Sequence, residues 1–123
     1  MGAWGAKSFQ NDHARDWLSA VRDSPDWEII DGALQKAGTC RSGDEAKAVA
    51  AAEIVAAAAS RPSPFLPDEA LALAMKLGPP SHELFARARA SSERILGQSE
   101  LRELWDDDPD WLGEMQSLVS RLS

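Results

Sequence analysis

Apolar residues recur at three- and four-residue spacing through most of the chain, and the strict alternation that would build strands is nearly absent. Ala14, Trp17, Leu18 and Val21 form one such stripe. They predict a first helix that starts at Asn11 or Asp12, either of which caps free amides, and runs to Asp23 before Ser24-Pro25. Ser24 is placed to cap a second helix with Pro25 at its first position, Trp27, Ile30 and Leu34 facing inward, and Gly38 closing it. A third opens with a capping box, Ser42 and Glu45, and continues through Val49, Ile54 and Val55 until Pro62 prevents extension. From Ala48 to Ala59 it is apolar on every side except at Glu53, and its alanines let neighbours approach closely. It reads as a packed interior helix, too short and too weakly hydrophobic to span a bilayer.

The segment Arg61-Pro62-Ser63-Pro64-Phe65-Leu66-Pro67 is a stiff connector within one domain. Pro67-Asp68-Glu69 opens a short fourth helix that Gly78-Pro79-Pro80 ends. Ser81 caps a longer fifth, carrying Leu84, Phe85, Ala88, Ile95 and Leu96 and ending near Gly97. Ser99 to Trp105 adds about two further turns. After Asp106-Asp107-Asp108-Pro109, Trp111, Leu112, Met115, Leu118, Val119 and Leu122 fall on a last helix. No repeat period appears. The expected fold is all-α: one domain over residues 1–123, a single compact orthogonal bundle of about six short helices, with residues 1–10 as an N-terminal loop packed on it.

Charge narrows the partners. Thirteen basic residues stand against 20 acidic ones, a formal charge of −7 on 123 residues. That field repels phosphate backbones, so no nucleic-acid binding is expected, and it favours encounter with a basic surface. Cys40 is the single cysteine, so neither an intrachain disulfide nor a Cys-rich zinc site can form. Met1-Gly2-Ala3-Trp4-Gly5 has no basic segment leading into an apolar run, and Ala6 replaces the Ser or Thr of a myristoylation motif. A cytoplasmic protein without a membrane segment is the expectation. No cofactor is called for.

Two groups of residues are candidates for chemistry or recognition. Asp106, Asp108 and Asp110 have the opening spacing of a calcium loop, but Trp111 stands where glycine is needed, Ser117 where the bidentate Glu belongs, and Pro109 stiffens the centre. No metal is expected there. The cluster Trp105, Asp106, Asp107, Asp108, Asp110 and Trp111 reads instead as an acidic knob with aromatic anchors for a basic protein, Asp108 also serving to cap the last helix. The second candidate is Glu53, whose carboxylate among alanines needs a partner such as Arg102, Arg15 or an indole N–H. A pocket between the N-terminal loop and the alanine-rich helix would use Glu53 and Asp12 as polar groups and be lined by Trp4. Trp4 and Phe9 otherwise fold back as a lid near Trp17. His13 and His82 lack the spacing of paired metal ligands and are expected exposed in first turns. No phosphate loop, nucleophile elbow or other catalytic constellation is present.

Gly2-Ala3-Trp4-Gly5, Phe9, Asn11-Asp12, Asp16-Trp17-Leu18, Ala51-Ala52-Glu53-Ile54-Val55, Leu66-Pro67 and Glu100-Leu101-Arg102-Glu103-Leu104-Trp105 together resemble a family of small bacterial proteins, domain of unknown function 4259. The resemblance covers nearly the whole chain, departing at Gln10, where the family has an acidic residue, and at Lys7-Ser8. It implies a helical fold and bacterial origin and supplies no catalytic residue. In size and charge the chain is also similar to immunity proteins and antitoxins. The leading expectation is a non-enzymatic domain that engages a basic bacterial protein, a toxin or effector, through its acidic surface. The alternative is a small-molecule-binding protein or hydrolase with its pocket near Trp4 and Glu53. A third reading is an oligomeric scaffold joined through the alanine-rich face.

Overall fold

A computed structural model of the chain describes residues 5, 7–24, 26–39 and 41–123. Among these residues there are seven α-helices and no strand: α1 (Asp12–Arg22), α2 (Trp27–Gln35), α3 (Ser42–Ala58), α4 (Asp68–Leu77), α5 (His82–Gly97), α6 (Glu100–Trp105) and α7 (Pro109–Arg121). One 3-10 turn, Lys36–Gly38, follows α2. The all-α expectation holds, with Glu100–Trp105 standing as a helix of its own, capped by Ser99.

Local chemistry explains most of the boundaries. Asn11 caps α1, its Oδ1 accepting the Ala14 N–H at 2.8 Å, and Ser81 caps α5 through the Leu84 N–H at 3.1 Å. Asp108 caps α7, with Pro109 in the first turn where its missing N–H costs nothing. The second helix differs from expectation. Asp26, not Ser24, is its cap, accepting the Glu28 N–H at 2.8 Å from an extended backbone; Pro25 lies outside the described residues. The helix stops at Gln35, short of Gly38, because the last turn tightens to i→i+3 bonding. After α4, Gly78 takes a φ of +74°, a left-handed conformation that glycine adopts without strain, and Pro79 prevents any continuation. After α3 the same duty falls on Ser60, at φ +69°. Its N–H bonds to the Ala57 carbonyl at 3.0 Å and the Arg61 N–H to that of Ala56 at 2.8 Å, a Schellman closure made without glycine.

α3 is the axis of the fold. Every residue from Ala46 to Ala57 except Lys47 is buried, and α3 packs against each of the other helices. This is why its sequence is apolar all round: no face is left for water. Leu18 and Val21 of α1, Ile30 and Leu34 of α2, Leu73 of α4, Leu84 and Ile95 of α5, and Met115 and Leu118 of α7 join it in one core. Small alanine side chains on the axis bring those helices close, so bulk comes from the periphery and not from the centre. Phe9 of the N-terminal loop is also buried. Among the described residues no helix is long and apolar enough to cross a membrane.

Candidate functional site

The turn between α6 and α7 carries the acidic residues singled out above. Asp106 (φ +51°, ψ +49°) and Asp107 (φ +57°) are consecutive left-handed residues, and the Asp108 N–H bonds to the Trp105 carbonyl at 2.9 Å. That is the pattern of a type I′ turn, which aspartate tolerates better than most side chains. Arg102 fixes it from below. Its Nε donates to Asp107 Oδ1 at 3.1 Å, while Nη1 donates to the carbonyls of Leu96 at 2.6 Å and Gly97 at 3.3 Å, where α5 ends with its negative dipole. The guanidinium thereby bridges the end of α5 and the exposed turn. Gly97, Gln98, Ser99, Arg102, Glu103, Asp106 and Asp107 line an open cleft of about 390 Å³ at this corner.

The six expected partner-binding residues divide into separate roles. Asp106 and Asp110 are exposed and their carboxylates make no bond among the described residues. Asp107 is tied to Arg102. Asp108 Oδ1 is committed to the N–H groups of Asp110 at 2.9 Å and Trp111 at 3.2 Å. Trp105 is half-buried against the core. Trp111 is only 3% exposed, so it is not an anchor at the surface. It stands on the inward stripe of α7 with Met115, Leu118 and Leu122, and burial of an indole there outweighs display. Glu103 and Leu104 were missed. Leu104 is 67% exposed beside the turn, because Leu101 and Trp105 take the inward face of α6 and leave it turned away.

Glu53 lies elsewhere, at the junction of the N-terminal loop, α3 and α7. It is 2% exposed. Arg121 grips it with a fork, Nη1 to Oε1 at 2.7 Å and Nη2 to Oε2 at 3.3 Å, and Ser8 Oγ donates to Oε2 at 2.7 Å. Arg61 donates to the Ser123 carbonyl at 2.7 Å, and Arg121 to that of Arg61 at 3.3 Å, which ties the connector to the end of α7. The expected partners are engaged elsewhere, Arg15 with Glu69 at 3.8 Å and Arg102 with Asp107. Both oxygens of Glu53 are thus satisfied. Asp12 is exposed in the first turn of α1 and makes no bond to Glu53, and Trp4 lies outside the described residues. The pocket reading is left without the polar pair it needed.

A second buried carboxylate went unrecognised because a local role seemed to explain it. Glu45 does not form a capping box with Ser42; Arg41 occupies the N-cap of α3 and gives no side-chain bond. Instead Glu45, 1% exposed, accepts the Leu101 N–H of α6 at 2.9 Å, and Glu100 of α6 accepts the Ser42 N–H at 3.0 Å. Burial pushes the Glu45 carboxyl above its ordinary range; the Leu101 bond opposes this and the charge of Glu100 adds to it. His13 and His82 are exposed in first turns, as expected. Cys40 lies outside the described residues.

Compared with known proteins, residues 2–117 match the family model described as Domain of unknown function (DUF4259). No curated protein and no solved structure matches the chain.

Proposed function

Starting from a chain that belongs to the DUF4259 family, we propose a non-enzymatic protein-binding domain whose α6–α7 corner engages a basic partner. The observation that supports this most is Leu104, 67% exposed on a helix whose other large apolar side chains pack inward, with Glu103 and Asp106 close to it in the chain and Asp110 following in α7, their carboxylates making no bond among the described residues. An apolar contact beside a surplus of acidic groups, with Arg102 already paired to Asp107, suits a partner that offers lysine or arginine around an apolar hollow. The net charge of −7 extends the same field over the molecule and would speed encounter. By analogy of size and charge, the partner class is a basic bacterial toxin or effector that this domain covers, in the manner of immunity proteins and antitoxins. The lone cysteine fits a cytoplasmic setting.

The test is a pulldown from native lysate at low salt with three baits: the unaltered chain, Glu103→Gln/Asp106→Asn/Asp110→Asn, and Leu104→Ala. Asp108 is left intact, because its loss would uncap α7 and confuse folding with recognition. A basic protein retained by the first bait, depleted on the other two and released as salt rises from about 50 to 500 mM would support the reading. The same proteins on all three baits would overturn it.

A further inference from the structure

α6 is six residues long and has no fully buried side chain. A helix this short does not hold by itself in water, so its order comes from what clamps it. Leu101 and Trp105 rest half-buried on the core, and Arg102 reaches back to the end of α5. The strongest polar attachment is at the N-terminus, where α6 meets the N-terminus of α3. Each helix there supplies a carboxylate to a free amide of the other: Glu45 to Leu101 at 2.9 Å, and Glu100 to Ser42 at 3.0 Å. Undocking α6 would strip the acceptor from one first-turn amide of each helix, Leu101 and Ser42, while Ser99 Oγ would still cap α6 through the Arg102 N–H at 2.9 Å. The segment is bounded by Gly97–Gln98 on one side and by the left-handed Asp106–Asp107 pair on the other.

We propose that α6 and the turn after it form a clasp that swings off the bundle as one unit, and that the reciprocal Glu45–Leu101 and Glu100–Ser42 bonds hold it shut. The clasp responds to protons in a definite direction. Shut, Glu45 is stripped of water and faces Glu100 on α6, with Arg94 on α5 the facing cation; open, its carboxylate is hydrated. Burial and the like charge outweigh the Leu101 bond, so the shut state keeps a proton on Glu45 more readily than the open one. Proton uptake therefore tightens the clasp. The gain is full below the ordinary carboxylate pKa and is lost as pH rises through the titration of buried Glu45. The acidic corner rides on this segment, yet the clasp does not depend on the protein-binding reading and is tested apart from it.

Native-state hydrogen exchange on the whole chain reads it directly, at about pH 6.5, 5.5 and 4.5, a range that reaches down to the ordinary carboxylate pKa, with chemical exchange rates divided out. The amides from Leu101 to Asp106 are expected to open together, at least about tenfold less protected than Ile54 to Ala57 in α3, and to gain protection as pH falls. Glu45→Gln keeps the acceptor without the charge and should flatten that pH trend. Glu45→Ala should speed exchange of the same amides on the order of fivefold, the loss expected for one cap. If residues 101–106 exchanged only with the core, at the rate of Ile54 to Ala57, there would be no clasp, and the unaltered chain alone decides this. A pH trend that persisted unchanged in Glu45→Gln would remove Glu45 as its proton sensor.

Discussion

A carboxylate stripped of water must be matched, and the way Glu53 is matched explains what its neighbours do. With 2% of its surface exposed, its charge is tolerable only because a forked guanidinium and a hydroxyl take up both oxygens. Arg121→Met would strand that charge and is expected to cost about 3–5 kcal/mol in chemical denaturation. Glu53→Gln combined with Arg121→Met should recover most of the loss, since no unpaired charge then remains and Ser8 keeps an acceptor. If the double variant were as unstable as the single one, the cost would lie in packing and not in charge. The sequence marks Glu53 as anomalous because it interrupts a run of alanines. It does not disclose the partner, which is 68 residues away and indistinguishable in type from Arg15 or Arg102. Ser60 is the opposite case, a residue with nothing anomalous in its surroundings that sits at φ +69°. Ser60→Gly is expected to stabilise by about 0.5–1 kcal/mol, read as a higher Tm, because it removes a Cβ from a left-handed position.

Among the elements, helices with one wet face were legible and the connections between helices were not. The stripes of α1, α5 and α7 put the right residues inward, and Asn11, Ser81 and Asp108 announced themselves as caps by type and position. By the same logic Trp111 belonged to the inward stripe of α7, and the attraction of an aromatic beside an acidic turn obscured it. The capping box of α3 failed for a different reason. A glutamate three residues past a serine is locally poised to reach back, and nothing in the local pattern reveals an uncapped amide 56 residues further on that binds it instead. α3 also makes a quantitative demand on its own side chains. Ala52, fully buried on the axis, leaves no room for larger groups. Ala52→Leu is expected to destabilise by about 1–3 kcal/mol through overpacking, whereas Ala86→Leu on the exposed face of α5 should stay within about 0.5 kcal/mol. Equal effects in thermal unfolding would mean that α3 is not the tightly enclosed axis described above.

For the whole molecule, the all-α class followed from periodicity, and the acidic balance followed from counting. The exposed surface beside the α6–α7 turn did not follow, because which residues stay outside depends on how a six-residue helix lands on the core. With α3 in contact with every other helix, the order in which the chain lays down its parts also has a practical meaning. The connector at 61–67 is largely exposed and runs between the half that contains α3 and the half that must be laid upon it. A chain cut there would leave a first piece whose hydrophobic rod is bare on the sides that α4, α5, α6 and α7 cover. The second piece would be four helices with nothing to wrap. Neither is expected to show a cooperative thermal transition alone, and mixing them should restore the helical circular dichroism of the intact chain. Such a pair would behave as a split reporter whose two parts, each formless by itself, regain shape only by finding one another.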